Sequence, residues 1–397
     1  MDITIYPTKL AGTVKIIPSK SQAHRLLICA AFADKDTKLI CPETNEDISA
    51  TADCLNALGA KISRFEWGYH IVPISDTPQK AILNCRESGS TLRFLLPIAG
   101  ALGVETTFQM AGRLPNRPLS PLKEEMERMG CRITKPSENA LLCTGKLLPG
   151  FYSIAGNVSS QFITGLMFAL ILLDTPSTLN ITGKVESKPY IEMTEKALLA
   201  FNANMDGTNI YPSRPLKSPG ELTVEGDWSN GAFFLAANKL GNNINILGLK
   251  DDSPQGDSMC KDILAIKQPI NISASDIPDL VPILSIVAAA NNGGIFTDIN
   301  RLRLKESDRV ASTIAMLCAL GAYAEANENT LTVFPGKFHG CTIKCENDHR
   351  IAMSAAIAAT VASSPITIIG AESVSKSYPA FWEVYGALGG KYEQHLR

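Results

Sequence analysis

Lys20-Ser21-Gln22-Ala23-His24-Arg25 sets two cations about one helical turn apart, directly behind Pro18-Ser19. The segment reads as a strand leaving through proline into a helix start. Ser19 or Ser21 can cap that helix, and the free N–H groups of its first turn can receive an anion. Glu87-Ser88-Gly89-Ser90-Thr91-Leu92-Arg93 opens an apolar run, and Gly89 would let a ligand approach the backbone closely. It lacks the Gly-x-x-x-x-Gly-Lys form of a nucleotide loop. In residues 112–118, prolines stiffen a basic loop and pre-aim Arg117, whose planar fork suits carboxylate or phosphate. Ser159-Ser160-Gln161 and Ser187-Lys188-Pro189-Tyr190 add hydroxyls, an amide and a cation at two further helix starts.

The second half carries the acid–base candidates. Asp279 precedes an apolar run, Lys305-Glu306-Ser307-Asp308-Arg309 closes a dense mixed-charge stretch, and Asp348-His349-Arg350 stands at a strand-to-helix junction. Asp348 could orient His349. Lys376 sits in a turn before Pro379. Each feature alone has a plain reading: a carboxylate cap, a salt-bridged surface helix, a solvated basic turn. Together, Lys20, Arg25, Arg117, Lys305, Arg309, His349, Arg350 and Lys376 fall at element ends, where the loops of a repeat fold converge. That pattern predicts a strongly positive site for multiply anionic metabolites, in a chain whose net charge is only −2.

Helices and strands must hold these residues. A helix ending in a small-residue turn before a strand recurs, with the turn at Gly59, Gly130, Asn202, Gly321 and Gly389. A left-handed residue after the last turn explains glycine there, and asparagine next best. The spacing of about 70 residues indicates a repeated unit, three per half, with a degraded sixth copy near Ile266-Lys267. A turn-rich stretch at 213–220 sets a boundary near 225, and alternating strand and helix signals give a mixed α/β class.

At 397 residues the chain exceeds one ordinary core. Its 45% apolar and 19% charged composition is that of a globular protein, and near-neutral charge disfavours nucleic acid or an anionic membrane as partner. The start lacks the pattern of a signal peptide, and the longest apolar stretch, 162–173, is too short to span a bilayer. Ten cysteines without a tight framework read as reduced, mostly buried thiols. Cys341, Cys345 and His349 lack a fourth ligand and a common zinc spacing, so no metal is expected.

Several of these strings resemble, in order and over nearly the whole chain, the 5-enolpyruvylshikimate-3-phosphate synthases, which are enolpyruvyl transferases. The strings are Pro18-Ser19-Lys20-Ser21 with Arg25, Val158-Ser159-Ser160-Gln161-Phe162, Ser187-Lys188-Pro189-Tyr190, Lys305-Glu306-Ser307-Asp308-Arg309 and Asp348-His349-Arg350-Ile351-Ala352-Met353. The resemblance implies a two-domain inside-out α/β barrel (α+β), each domain three βαβαββ repeats around a pseudo-threefold axis. One domain would comprise 1–18 with 226–397, carrying phosphoenolpyruvate-side cations and acid–base residues. The other, 19–225, would bind shikimate 3-phosphate, with the active site in a cleft that closes on substrate. It implies Lys20, Ser21, Arg25, Ser159, Ser160, Gln161, Ser187, Tyr190, Asp279 and Lys305 around shikimate 3-phosphate. Lys20, Gly89, Arg117, Gln161, Arg309, His349, Arg350 and Lys376 would surround phosphoenolpyruvate. Asp279, Glu306, Lys20 and His349 would be catalytic, with no cofactor or metal. A cytoplasmic monomer serving the shikimate pathway to chorismate and the aromatic amino acids is implied as well.

Four positions depart from the family pattern: His24 and Glu87 stand where members carry Asn, Phe94 where many carry Pro, and Arg301 where some carry Asn. Three rivals have less support. A UDP-N-acetylglucosamine enolpyruvyl transferase would carry a cysteine in its mobile loop, and residues 113–121 have none. A non-catalytic phosphometabolite binder gains nothing from buried carboxylates. An RNA phosphate cyclase type would need a nucleotide-transfer histidine motif.

Overall fold

The computed structural model describes residues 1–267 and 269–395. The chain divides into two compact units, Pro18–Val224 and Met1–Ile17 with Glu225–Arg397. For brevity these are the central unit and the flanking unit.

The central unit contains three four-stranded sheets built alike. One runs Lys80–Asn84, Glu105–Gln109, Ala140–Gly145, Cys131–Ser137; another runs Phe151–Ala155, Ser177–Thr182, Asn209–Ile210, Met205–Asp206. The third takes its first strand from the far end of the unit, in the order Glu221–Thr223, Thr37–Ile40, Gly68–Val72, Lys61–Phe65. In every case the first two strands are parallel and the last two antiparallel. The helices Lys20–Ala31, Gly89–Leu102 and Ser160–Leu170 lead into the second strands and are buried along most of their length. A residue with positive φ ends each outer helix, at Gly59 (110°), Gly130 (106°) and Asn202 (58°). These are the three turns that the repeat period predicts. The central helices meet so closely that a Cβ on Gly165 would lie 2.1 Å from the Arg93 carbonyl oxygen. Only glycine fits that crossing.

The flanking unit repeats the pattern twice in full. Ile270–Ser273, Gly294–Thr297, Thr330–Val333 and Ala324–Ala326 form one sheet; Thr342–Lys344, Ile366–Ile369, Asp2–Tyr6 and Lys391–His395 form the other. The remaining sheet has only Ala11–Lys15 and Asn243–Leu247, in parallel. This is the degraded sixth copy. Its outer helix, Cys260–Ala265, runs into extended Ile266 (ψ 133°), and the next described strand, Ile270–Ser273, begins the following repeat. Among the described residues the sixth unit is therefore βαβα, without the terminal hairpin of the expected uniform βαβαββ. The edge that the hairpin would pair is stopped by Asn238. Its amide donates to the Ile244 carbonyl (2.7 Å) while its Oδ1 accepts the Ile244 N–H (2.8 Å), as a neighbouring strand would.

No helix among the described residues is long and apolar enough to cross a membrane. Of the ten cysteines, eight are buried, Cys341 is half-buried and Cys318 is exposed. The Cys345 thiol lies 2.9 Å from the Gly370 carbonyl, which it can reach as a weak donor.

Candidate active site

The chemistry-bearing residues gather at capped helix N-termini. Ser19 rather than Ser21 caps the helix at Lys20, Ser88 caps that at Gly89, and Ser159 caps that at Ser160. In the flanking unit Asp227, Asp308 and Asp348 do the same for Trp228–Lys239, Arg309–Ala319 and His349–Ala359. Each cap satisfies first-turn N–H groups and fixes where the next side chains point.

In the central unit, the buried Arg25 and Arg93 donate to neutral groups. Arg25 lies in the helix body rather than at an element end, with its guanidinium almost fully enclosed. It donates to Thr194 Oγ1 (2.8 Å), the Ser21 carbonyl (2.6 Å) and the Tyr190 carbonyl (2.9 Å), and its guanidinium carbon lies 5.2 Å from the Phe94 ring centroid. Burial pushes its pKa down to about 10, so it remains charged at neutral pH. Tyr190 thus supplies its carbonyl to Arg25, and Ser187, at φ 55°, turns the chain into that helix. Gln161 joins two elements: Arg93 donates to its Oε1 (2.7 Å), and its Nε2 donates to Ser90 (2.9 Å). Arg117 covers the start of the Gly89 helix, where a Cβ on Gly89 would sit 2.7 Å from Arg117 Nη1 and 2.9 Å from Arg93 Nη1. Lys20 is the exception, paired with Asp47 at 3.0 Å.

Behind this surface runs a chain of buried hydrogen bonds. His24 Nδ1 meets Thr51 Oγ1, Thr51 meets Thr91, and Thr91 meets the cap Ser88, each at 2.7 Å. Burial, then Lys20 and Arg25, hold the His24 pKa well below its ordinary value, so the ring is neutral.

The flanking unit is different in kind. Arg309 is 1% exposed and touches three carboxylates: Asp279 (2.8 Å), Glu306 (2.5 Å) and Asp348 (2.9 Å). Burial works against its charge, and Asp348, Glu306 and Asp279 outweigh it, raising the pKa. Asp279 also receives Arg350 at 3.0 Å and Lys305 at 3.3 Å. Burial lowers the Lys305 pKa, against the pull of Asp279. For Arg350 burial again opposes charge, and Asp279 leads the groups that raise its pKa. Asp279 is no helix cap, since the helix Val281–Ala290 has no side-chain cap at all. Nor is the 301–309 stretch a surface helix: it is a 3-10 turn, Asn300–Leu304, then extended Lys305 before the Asp308 cap. Asp348 accepts from Arg309 and from Ser307 Oγ (3.0 Å) and caps Arg350 N–H (2.9 Å). His349 is buried in the first turn of that helix, and Lys376 donates to the carbonyl of Asn347 (3.0 Å), two residues before it.

Asp279, Lys305, Glu306, Arg309 and Arg350 are therefore one bonded network. Lys20, Ser21, Arg25, Gly89, Arg117, Ser159, Ser160, Gln161, Ser187 and Tyr190 all belong to the central unit. Residue-by-residue reading passed over Asp47, Arg93, Thr51 and Ser229, whose partners lie 27 to 121 positions away.

Asp279 and Glu306, held on one buried guanidinium, are carboxylates of the type that general acid–base chemistry uses. The two-unit fold is shared with enolpyruvyl transferases of known structure. An EPSP synthase from Acinetobacter baumannii superposes with TM-score 0.80 at 22% identity, covering 99% of this chain and 100% of that one. The enolpyruvyl transferase NikO from Streptomyces tendae gives 0.75 at 16% identity, covering 99% and 98%. The family model of EPSP synthase (3-phosphoshikimate 1-carboxyvinyltransferase) matches residues 5–385, and this chain belongs to that family. Curated relatives named 3-phosphoshikimate 1-carboxyvinyltransferase include those of Clostridium kluyveri and Clostridioides difficile. Both are 37% identical to it, over 99% of this chain and 98% of theirs.

Proposed function

We propose that this chain transfers the carboxyvinyl group of phosphoenolpyruvate to the 5-hydroxyl of shikimate 3-phosphate and releases phosphate. Beside its family membership, the observation that carries the reading is the attachment of Asp279 and Glu306 to a single buried Arg309. The 5-hydroxyl attacks C2 of phosphoenolpyruvate while C3 gains a proton, giving a tetrahedral adduct. Loss of that proton and of phosphate, by C–O cleavage at C2, gives the product. Asp279 takes the hydroxyl proton; Glu306, with Lys20, moves the proton at C3.

In this reading Lys20, Ser21, Arg25, Ser159, Ser160, Gln161, Ser187, Tyr190, Asp279 and Lys305 hold shikimate 3-phosphate. Lys20, Gly89, Arg117, Gln161, Arg309, His349, Arg350 and Lys376 hold phosphoenolpyruvate. Both units must then reach one pair of substrates. The cations balance phosphate and carboxylate charge, so the reaction needs no metal or cofactor. The reading extends to a cytoplasmic monomer that binds neither nucleic acid nor membrane, in keeping with the net charge of −2.

The test is phosphate release from defined substrate pairs. Release is expected only with shikimate 3-phosphate and phosphoenolpyruvate together. Release with UDP-N-acetylglucosamine in place of shikimate 3-phosphate, or binding of both substrates without release, would refute the reading.

A further inference from the structure

The first turn of the helix Trp228–Lys239 lies outside the substrate-binding and catalytic sets, yet it holds two cationic elements of the flanking unit. Arg350 Nη2 donates to Ser229 Oγ at 2.9 Å, and Nη1 donates to the Ser229 carbonyl at 3.3 Å. Ser229 Oγ donates in turn to Asp227 Oδ1 at 2.6 Å. A hydroxyl has one proton to give and lone pairs to accept with, so the order Arg350 to Ser229 to Asp227 is chemically complete. Asp227 Oδ1 also accepts the Asn230 N–H at 2.9 Å, which locks its carboxylate to the helix start. One residue on, Asn230 Nδ2 donates to Ser377 Oγ at 3.1 Å, and Ser377 follows Lys376. Ser229 is 6% exposed and Asn230 is fully buried, so water cannot replace either bond freely.

A cap needs only Asp227. Ser229 and Asn230 add nothing to capping, and both face cationic segments from elsewhere in the chain. We infer that Ser229 and Asn230 are positioning residues for the anion site of the flanking unit: Ser229 aims Arg350, and Asn230 fixes the turn that carries Lys376. Arg350 has five N–H donors. Its bonds to Ser229 and Asp279 use three, which leaves two for a ligand anion. Without the Ser229 hydroxyl, only Asp279 and the longer bond to the residue 229 carbonyl would orient the guanidinium, and its fork would be less firmly fixed in plane.

This inference rests on the assignment of Arg350 and Lys376 to phosphoenolpyruvate. Its test is steady-state kinetics of Ser229→Ala, Ser229→Thr and Asn230→Ala in the full chain, with melting curves and calorimetric titration of phosphoenolpyruvate. Ser229→Ala should raise the KM and the dissociation constant for phosphoenolpyruvate roughly tenfold, the scale of one hydrogen bond to a charged group. The KM for shikimate 3-phosphate should stay within about twofold. Ser229→Thr, which keeps the hydroxyl, should restore the wild-type values, and Asn230→Ala should show a smaller change of the same kind. A lower melting temperature with both KM values unchanged, equal changes in both KM values, or no rescue by threonine would overturn the inference. If the wild type turns over neither substrate pair, the functional reading fails. The calorimetric comparison of Ser229→Ala with wild type then still decides whether Ser229 supports anion binding.

Discussion

The two units hold the buried arginines of their candidate sites differently. In the central unit Arg25 and Arg93 rest on carbonyls, hydroxyls and the Gln161 amide, none of which titrates near neutrality. In the flanking unit Arg309, Arg350 and Lys305 rest on Asp279, Glu306 and Asp348. Neutral partners orient a guanidinium without cancelling its field, which suits holding an anion. Carboxylate partners cancel the field until a substrate anion competes for the cation, and they are themselves able to take or give a proton. That divides the neutral setting of Arg25 and Arg93 from the carboxylate network around Arg309.

The strongest way to break that division is to remove the titrating groups. Asp279→Asn and Glu306→Gln should each lower kcat by a factor of about 10² or more. Titration calorimetry should show substrate affinities within about tenfold of wild type. Equal losses from Asp47→Asn, whose carboxylate pairs with Lys20 in the central unit, would erase the contrast.

Next in size is the buried anchor. Asp348→Asn leaves Arg309 short of its most enclosed carboxylate and should cost about 3–5 kcal/mol of unfolding free energy in denaturant titration. A cost under about 1 kcal/mol, that of an exposed pair, would mean that the network is loosely held.

Arg25→Lys addresses the neutral side. A lysine cannot span three acceptors with a planar fork, so the KM for shikimate 3-phosphate should rise about tenfold while the phosphoenolpyruvate KM holds. A change confined to phosphoenolpyruvate would overturn the assignment of Arg25 to shikimate 3-phosphate.

The smallest effect concerns His24. Its folded pKa lies below the unfolded value of 6.5, so above that pH both states are neutral and nothing is lost. As pH falls below 6.5 the unfolded chain binds a proton that the native chain refuses, and stability declines. His24→Asn should flatten the melting-temperature profile below that pH relative to wild type. An unchanged profile would show that the ring is not held neutral.

Much of the fold was legible in the sequence because one local event, a left-handed residue after a helix, leaves the same mark at 59, 130, 202, 321 and 389. The truncated sixth unit was not legible as such, since a missing hairpin leaves only an irregular gap. The candidate residues stood out because cations at helix starts are unusual in clusters. Their partners did not. Asp47 is one of two acids in the first turn of its helix, and only the fold brings Ser229 to Arg350, 121 positions away. Asp348 was visible beside His349, but its bond to Arg309 spans 39 positions and needs two helix starts to converge.

The strand Asp2–Tyr6 lies between Ile366–Ile369 and Lys391–His395. During synthesis, then, Asp2–Tyr6 waits through more than 360 residues for these partners. Pro18–Val224 is continuous and can collapse as soon as it emerges. The flanking unit can close only after Ile366–Ile369 and Lys391–His395 have been made, because its sheet joins distant parts of the chain. The central unit would be complete before it.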